Sequence, residues 1–115
     1  MRVDRIVPNL TVTDLPGAVS EHQAALGLEV LMDHGWIVTL GDADGAHQVS
    51  LMTTDPTGPV NPVASIFVDD VYQALDRVHA AGLEVIYSVR QEQWGVTRFI
   101  YRDTSGNAIN VGMHT

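Results

Sequence analysis

The sequence predicts an α+β fold made of two copies of a strand–helix–strand–strand–strand unit. Three observations predict it. The tetrapeptide Gly-Leu-Glu-Val occurs verbatim at Gly27–Val30 and at Gly82–Val85, each time just after a helical stretch. An aspartate stands at the expected amino-terminal cap of each helical stretch, Asp14 and Asp70, behind a short β-rich run. Each copy also carries a Gly-led strand that runs into an Asp-x-x-Gly turn, at Asp42–Gly45 and at Asp103–Gly106.

In chain order, Leu10, Val12 and Leu15 lead into the first helix. Pro16 falls in its first turn, where a missing N–H costs nothing, and Gly27 follows its last turn, where a left-handed cap is wanted. Leu15, Val19, His22, Ala25 and Leu26 share one stripe of that helix; Val71, Leu75, Val78 and Ala81 share one stripe of the second. One face of each helix must therefore cover a sheet. His22 sits on the apolar stripe and reads as a hydrogen-bonded packing residue. Gly35–Leu40 and Gly95–Ile100 are the Gly-led strands. Pro56, Gly58, Pro59 and Pro62 mark a linker between a first repeat, 1–55, and a second, 62–115. The chain ends in a hairpin: Val96–Tyr101 is rich in β-branched and aromatic residues, Asp103–Asn107 supplies turn chemistry, and Ala108–Met113 alternates again.

Composition narrows the function. At 115 residues the chain holds one core and no second independent domain. An apolar content of 45% without low-complexity runs argues for a folded domain. No run of ~18 apolar residues exists and the amino terminus lacks the pattern of a secretory signal, so a cytoplasmic location is expected. With no cysteine, any metal would rest on His, Asp or Glu. With 6 basic against 14 acidic side chains the net charge is −8, which repels nucleic acid and anionic membranes and draws cations.

The order Arg102-Asp103-x-x-Gly106-Asn107-x-Ile109-x-Val111, closing a twofold repeat, resembles the last hairpin of the vicinal oxygen chelate superfamily. That superfamily includes glyoxalase I, bleomycin-resistance proteins, fosfomycin-resistance enzymes and extradiol dioxygenases. The resemblance covers nearly the whole chain. It implies that the two βαβββ repeats form a curved, barrel-like mixed sheet with helices outside and a cavity inside. Strand alternation then sorts the residues. Ile6, Leu10, Val12, Val49, Leu51, Ile66, Val68, Ile109, Val111 and Met113 are expected to face the helices. Val7, Asn9, Thr11, Gln48, Ser50, Met52, Val63, Ser65, Phe67, Ala108, Asn110 and His114 are expected to face the cavity.

The resemblance also implies where a metal would sit: on one side chain from the first and one from the last strand of each half. Carried onto this sequence, those slots are Val7, Ser50, Val63 and Asn110, with Val49 replacing Ser50 if the register slips by one. None is a His, Glu, Asp or Cys, and a transition metal wants three or four such ligands at ~2.0–2.2 Å. No metal and no cofactor are therefore expected, and with them goes the Lewis acid of the superfamily's isomerases, transferases and dioxygenases. His22, His34, His47, His79 and His114 are scattered without ligand spacing.

Asn9, Trp36, Ser50, Met52, Ser65, Phe67, Trp94, Tyr101 and Asn110 form the candidate ligand-binding set. Trp36 and Trp94, each beside the Gly that opens a strand, read either as core or dimer-seam filling or as stacking walls for a flat ligand. Arg98 and Arg102 either pair with nearby carboxylates or grip an anionic ligand group. Two function classes survive. One is a metal-free, homodimeric binding protein of the bleomycin-resistance type, holding a planar cationic or neutral drug or natural product. The other is a glyoxalase- or dioxygenase-like enzyme with an unusual or absent metal, or one that uses Tyr101 or His114 as acid or base.

Overall fold

A computed structural model describes all residues 1–115. Ten elements follow in order: β1 (Val3–Thr11), α1 (Leu15–Leu26), β2 (Glu29–Asp33), β3 (Ile37–Gly41), β4 (Gln48–Met52), β5 (Ala64–Val68), α2 (Val71–Ala80), β6 (Glu84–Gln91), β7 (Val96–Arg102) and β8 (Ala108–His114). This is the predicted βαβββ unit, twice. The strands make one eight-stranded mixed sheet in the order β2-β3-β4-β1-β5-β8-β7-β6. Within each half the first strand runs parallel to the last, β1 with β4 and β5 with β8, because the helix carries the chain back over the sheet. The halves join through antiparallel β1 and β5, where Val7 faces Ser65.

Local chemistry explains each boundary. The Asp14 carboxylate accepts from the Gly17 N–H at 3.1 Å, and Gly27 closes α1 at φ 65°. The Asp70 carboxylate accepts from the N–H groups of Tyr72 and Gln73, both at 3.1 Å, at the head of α2. In the last hairpin, Asp103 accepts from the N–H groups of Ser105 and Asn107 and from the Asn107 amide.

Two clusters form on the helix side. Leu15 and Ala18 of α1 pack on Val38, Leu40 and Leu51, with Val12 and Val49 at the margin. Val71 and Ala74 of α2 pack on Val68, Phe99 and Val111, with Ile66, Tyr101, Ile109 and Met113 around them. Ile6 and Leu10 depart from expectation. They lie on the helix side of β1 but are 61% and 42% exposed, since α1 seats on β3 and β4 and α2 on β6, β7 and β8. Each helix covers the outer strands of its own half and leaves the central seam open.

These clusters set the stability. Phe99→Ala is expected to cost ~3–5 kcal/mol and Leu51→Ala ~2–5 kcal/mol, both residues being fully buried. Urea unfolding followed by circular dichroism measures both.

Candidate functional site

The concave face of the sheet encloses a cavity of about 450 Å³ formed within one chain. Its floor comes from the four central strands. Register places Asn9 beside Ser50, and Ser65 beside Asn110 and opposite Val7, so neutral polar side chains from β1, β4, β5 and β8 stand on two adjacent levels. The Asn9 and Asn110 amides both donate to the Ser65 hydroxyl, at 3.0 and 3.1 Å. That leaves the Oδ1 atoms of Asn9 and Asn110 buried without a partner. A buried unsatisfied acceptor costs ~1–3 kcal/mol, so the floor is short of two donors. On the β3 side, Thr39 and Ser50 share a hydrogen bond of 2.7 Å. Ser50 is thus in the expected register and Val49 faces the helix.

Also in the lining, Trp36 before β3 and Trp94 before β7 meet edge to face with ring centroids 5.4 Å apart. The curvature of the sheet brings these two turns together. Beside them lies a buried ionic cluster. Arg98 donates to Asp55 through both terminal nitrogens, at 2.8 and 2.9 Å, and through Nε to Glu92 at 3.1 Å. The Tyr87 hydroxyl donates to Glu92, and Arg98 lies 5.2 Å from the Trp94 ring. Burial alone would push the Asp55 carboxyl up. The hydrogen bonds of Arg98 and of the Gly58 and Thr57 N–H groups outweigh it and hold Asp55 below the usual carboxylate range.

A second cationic group stands at the Phe67 end of the floor. The Arg5 guanidinium lies 3.9 Å from the Phe67 ring centroid, and one terminal nitrogen donates to His114 Nε2 at 2.6 Å. His114 stacks on the same ring, centroids 4.9 Å apart. Burial, and then the neighbouring Arg5 charge, lower the His114 pKa, so the ring stays neutral and accepts from Arg5.

The candidate set is largely brought together: Asn9, Trp36, Ser50, Met52, Ser65, Phe67, Trp94 and Asn110 all line the cavity. Tyr101 does not. Along β7, Val96 and Arg98 point into the cavity, and the alternation sends Phe99 and Tyr101 to the α2 side, where their rings sit 6.3 Å apart. Val63 also falls outside the lining. It precedes β5 and bridges the Asn9 N–H and the Ala108 carbonyl through its backbone, and its side chain is 49% exposed. Thr11 likewise lies outside, and Ala108 packs with Tyr87 and Ile100. Arg98 is paired, as one of its two readings had it. Sequence reasoning missed Arg5 and Asp55. A charged residue on cavity parity in β1 was the available signal for Arg5; Asp55, in the linker, carried none.

The four inherited metal slots do not fit a metal. Val7, Ser50 and Asn110 face the cavity and Val63 does not, and they offer a hydroxyl and an amide but no imidazole or carboxylate. No three His, Asp or Glu side chains converge elsewhere. Asp55, the one carboxylate in the lining, is committed to Arg98.

Comparison with known proteins places this geometry. The family model Glyoxalase/Bleomycin resistance protein/Dioxygenase superfamily matches residues 2–111. A search among curated proteins finds no match. Among solved structures, a glyoxalase/bleomycin resistance protein/dioxygenase superfamily member from Vibrio splendidus 12B01 superposes with a TM-score of 0.71 at 21% identity, over 97% of this chain and 99% of that one. Methylmalonyl-CoA epimerase from Mycobacterium tuberculosis superposes with a TM-score of 0.70 at 17% identity, over 98% and 87%. A chain of the NAD-dependent benzaldehyde dehydrogenase structure from Legionella pneumophila reaches 0.80 at 10% identity, over 96% and 100%. At these identities the likeness is one of fold.

Replacing Arg98 by Met strands two buried carboxylates, and the expected loss at pH 7 is ~3–5 kcal/mol. Wild-type Asp55 has a depressed folded pKa, so its contribution is present above the unfolded value and lost as pH falls through the folded one. In Arg98→Met the hydrogen bonds and charge of Arg98 are gone and only the Gly58 and Thr57 N–H groups still oppose burial, so the folded pKa of Asp55 rises above its wild-type position and acidification costs the variant less. Urea titrations at neutral and acidic pH should therefore show the gap between wild type and variant narrowing as pH drops.

Proposed function

Given that the chain belongs to the Glyoxalase/Bleomycin resistance protein/Dioxygenase superfamily, we propose that it binds a small planar organic molecule in its cavity, without metal chemistry, in the manner of the bleomycin-resistance branch. The lining carries the reading: two buried amide oxygens without partners and a pair of tryptophans in one cavity of about 450 Å³. Small-molecule sites combine apolar walls with a few placed polar groups, and Val7, Met52, Phe67 and Val96 supply the walls here. A ligand N–H or O–H group answers Asn9 and Asn110, and a flat body lies against Trp36 and Trp94. The net charge of −8 argues for a cation only at long range, since the one lining carboxylate is already neutralised by Arg98. Tryptophan fluorescence titrated with a panel of planar drugs and polyphenols should show saturable quenching that Trp36→Ala or Trp94→Ala weakens by about tenfold, in line with the loss of one stacking contact. Turnover of a bound compound would point instead to the enzymatic branch.

A homodimer is part of this reading. Val3, Ile6 and Leu10 of β1 are exposed along the seam that neither helix covers, and an apolar strip of that kind favours burial against a second copy. Sedimentation at micromolar concentration is expected to give a dimer, and Ile6→Glu a monomer.

A further inference from the structure

We propose that the Arg5–Phe67–His114 corner of the cavity is an anion subsite, and that the ligand carries a carboxylate or similar planar anionic group there. The inference rests on the cavity-binding reading above and deepens it. The chain holds 14 acidic side chains for 6 basic ones, so carboxylate partners are plentiful. Arg98 takes two and Arg2 takes Asp4, but Arg5, half-buried in the cavity wall, makes a salt bridge with none. Its Nε is buried without any partner. A guanidinium drawn out of water without a carboxylate is costly, and the Phe67 ring and one imidazole nitrogen offset only part of that cost.

The corner is nevertheless built to hold Arg5 in one place. Gly112, opposite Phe67 in the register, leaves room for its ring: a Cβ there would sit 3.3 Å from Phe67 and 3.1 Å from Val96. Phe67 then supports both the guanidinium and the stacked His114. The neutral imidazole accepts one Arg5 N–H, which orients the planar fork while no carboxylate is in ion-pair contact with it. A fork so oriented suits a carboxylate, which accepts two parallel N–H bonds.

The position of the corner shapes the ligand. Arg5 and Asn9 face the cavity from the same strand four residues apart, roughly 13 Å between Cα atoms at ~3.3 Å per residue. An aromatic acid whose hydrogen-bond donor lies at the far end from its carboxylate spans from Arg5 to the amide oxygens of Asn9 and Asn110. This charge differs from the cationic ligand that the whole-chain charge suggests, because the local unpaired charge outranks a distant, screened one.

Isothermal calorimetry with 6-hydroxy-2-naphthoate and its primary amide tests the inference. The intact protein should bind the acid at least about tenfold more tightly than the amide, as expected for a charge-assisted bidentate contact. Arg5→Met should abolish that preference, with acid and amide binding within about twofold of each other. Arg5→Lys, which keeps the charge but not the fork, should retain part of it. Equal affinity for acid and amide in the intact protein overturns the anion subsite, needs no variant to fold, and leaves the cavity reading in place. An acid preference undiminished in folded Arg5→Met overturns it too. If neither naphthalene nor any planar compound of the fluorescence panel binds, the cavity reading fails and the subsite with it.

Discussion

The interaction on which the rest depends is the pairing of Arg98 with Asp55 and Glu92. Asp55 belongs to the linker between the halves, Arg98 to β7 and Glu92 to the turn that precedes β7. One guanidinium therefore ties the exit from the first half to the wall of the second, 43 residues apart in sequence. The same group lies against Trp94, and Trp94 meets Trp36. The tryptophan pair is thereby anchored from one side by charge. A buried ion pair of this kind contributes little net stability over an apolar replacement, because desolvation offsets most of the attraction. What it supplies is position: the linker has one place to sit, and Trp94 rests near a guanidinium that cannot move without stranding a charge.

The duplication sets a second constraint. Each half repeats the same order of strand, helix and strands, and the antiparallel meeting of β1 and β5 makes the cavity floor almost symmetric: Asn9 beside Ser50 on one side, Ser65 beside Asn110 on the other. The charged groups break that symmetry. Arg98 and Arg5 both lean on aromatic rings, but the first is saturated with carboxylates and the second has none. A nearly symmetric floor with one unneutralised end has a direction, and a ligand bound there has a preferred orientation.

The fold was legible because its signals are local. Capping aspartates, the repeated Gly-Leu-Glu-Val and the Asp103–Asn107 turn act through neighbours a few residues away, and strand alternation then carried Asn9, Ser50, Ser65 and Asn110 to the correct face. Tyr101 was misplaced because aromatic character was weighed without the alternation of β7, which assigns it to the α2 side. Val63 was misplaced because strand alternation was carried back to it, whereas β5 begins at Ala64. The ionic groups were illegible for a different reason. Arg5 and His114 stand 109 residues apart, and Asp55 reaches Arg98 from an irregular segment with no period to read. Periodicity reports which face a residue takes, not which charge it meets across a curved sheet.

The neutrality of the floor also follows from what stands in the four slots that the resemblance assigns to a metal. Four imidazole and carboxylate ligands gathered at one level are tolerable only while a cation holds them; without it their mutual repulsion and desolvation oppose closure. Valine, serine and asparagine in those slots carry no such charge, and the residual cost is that of two unpaired amide oxygens. Restoring a single ligand, as in Asn110→Glu, would not rebuild the metal centre. It would bury one carboxylate beside Ser65 with no cation to answer it, and the protein would respond by protonating that carboxyl or by loosening the floor.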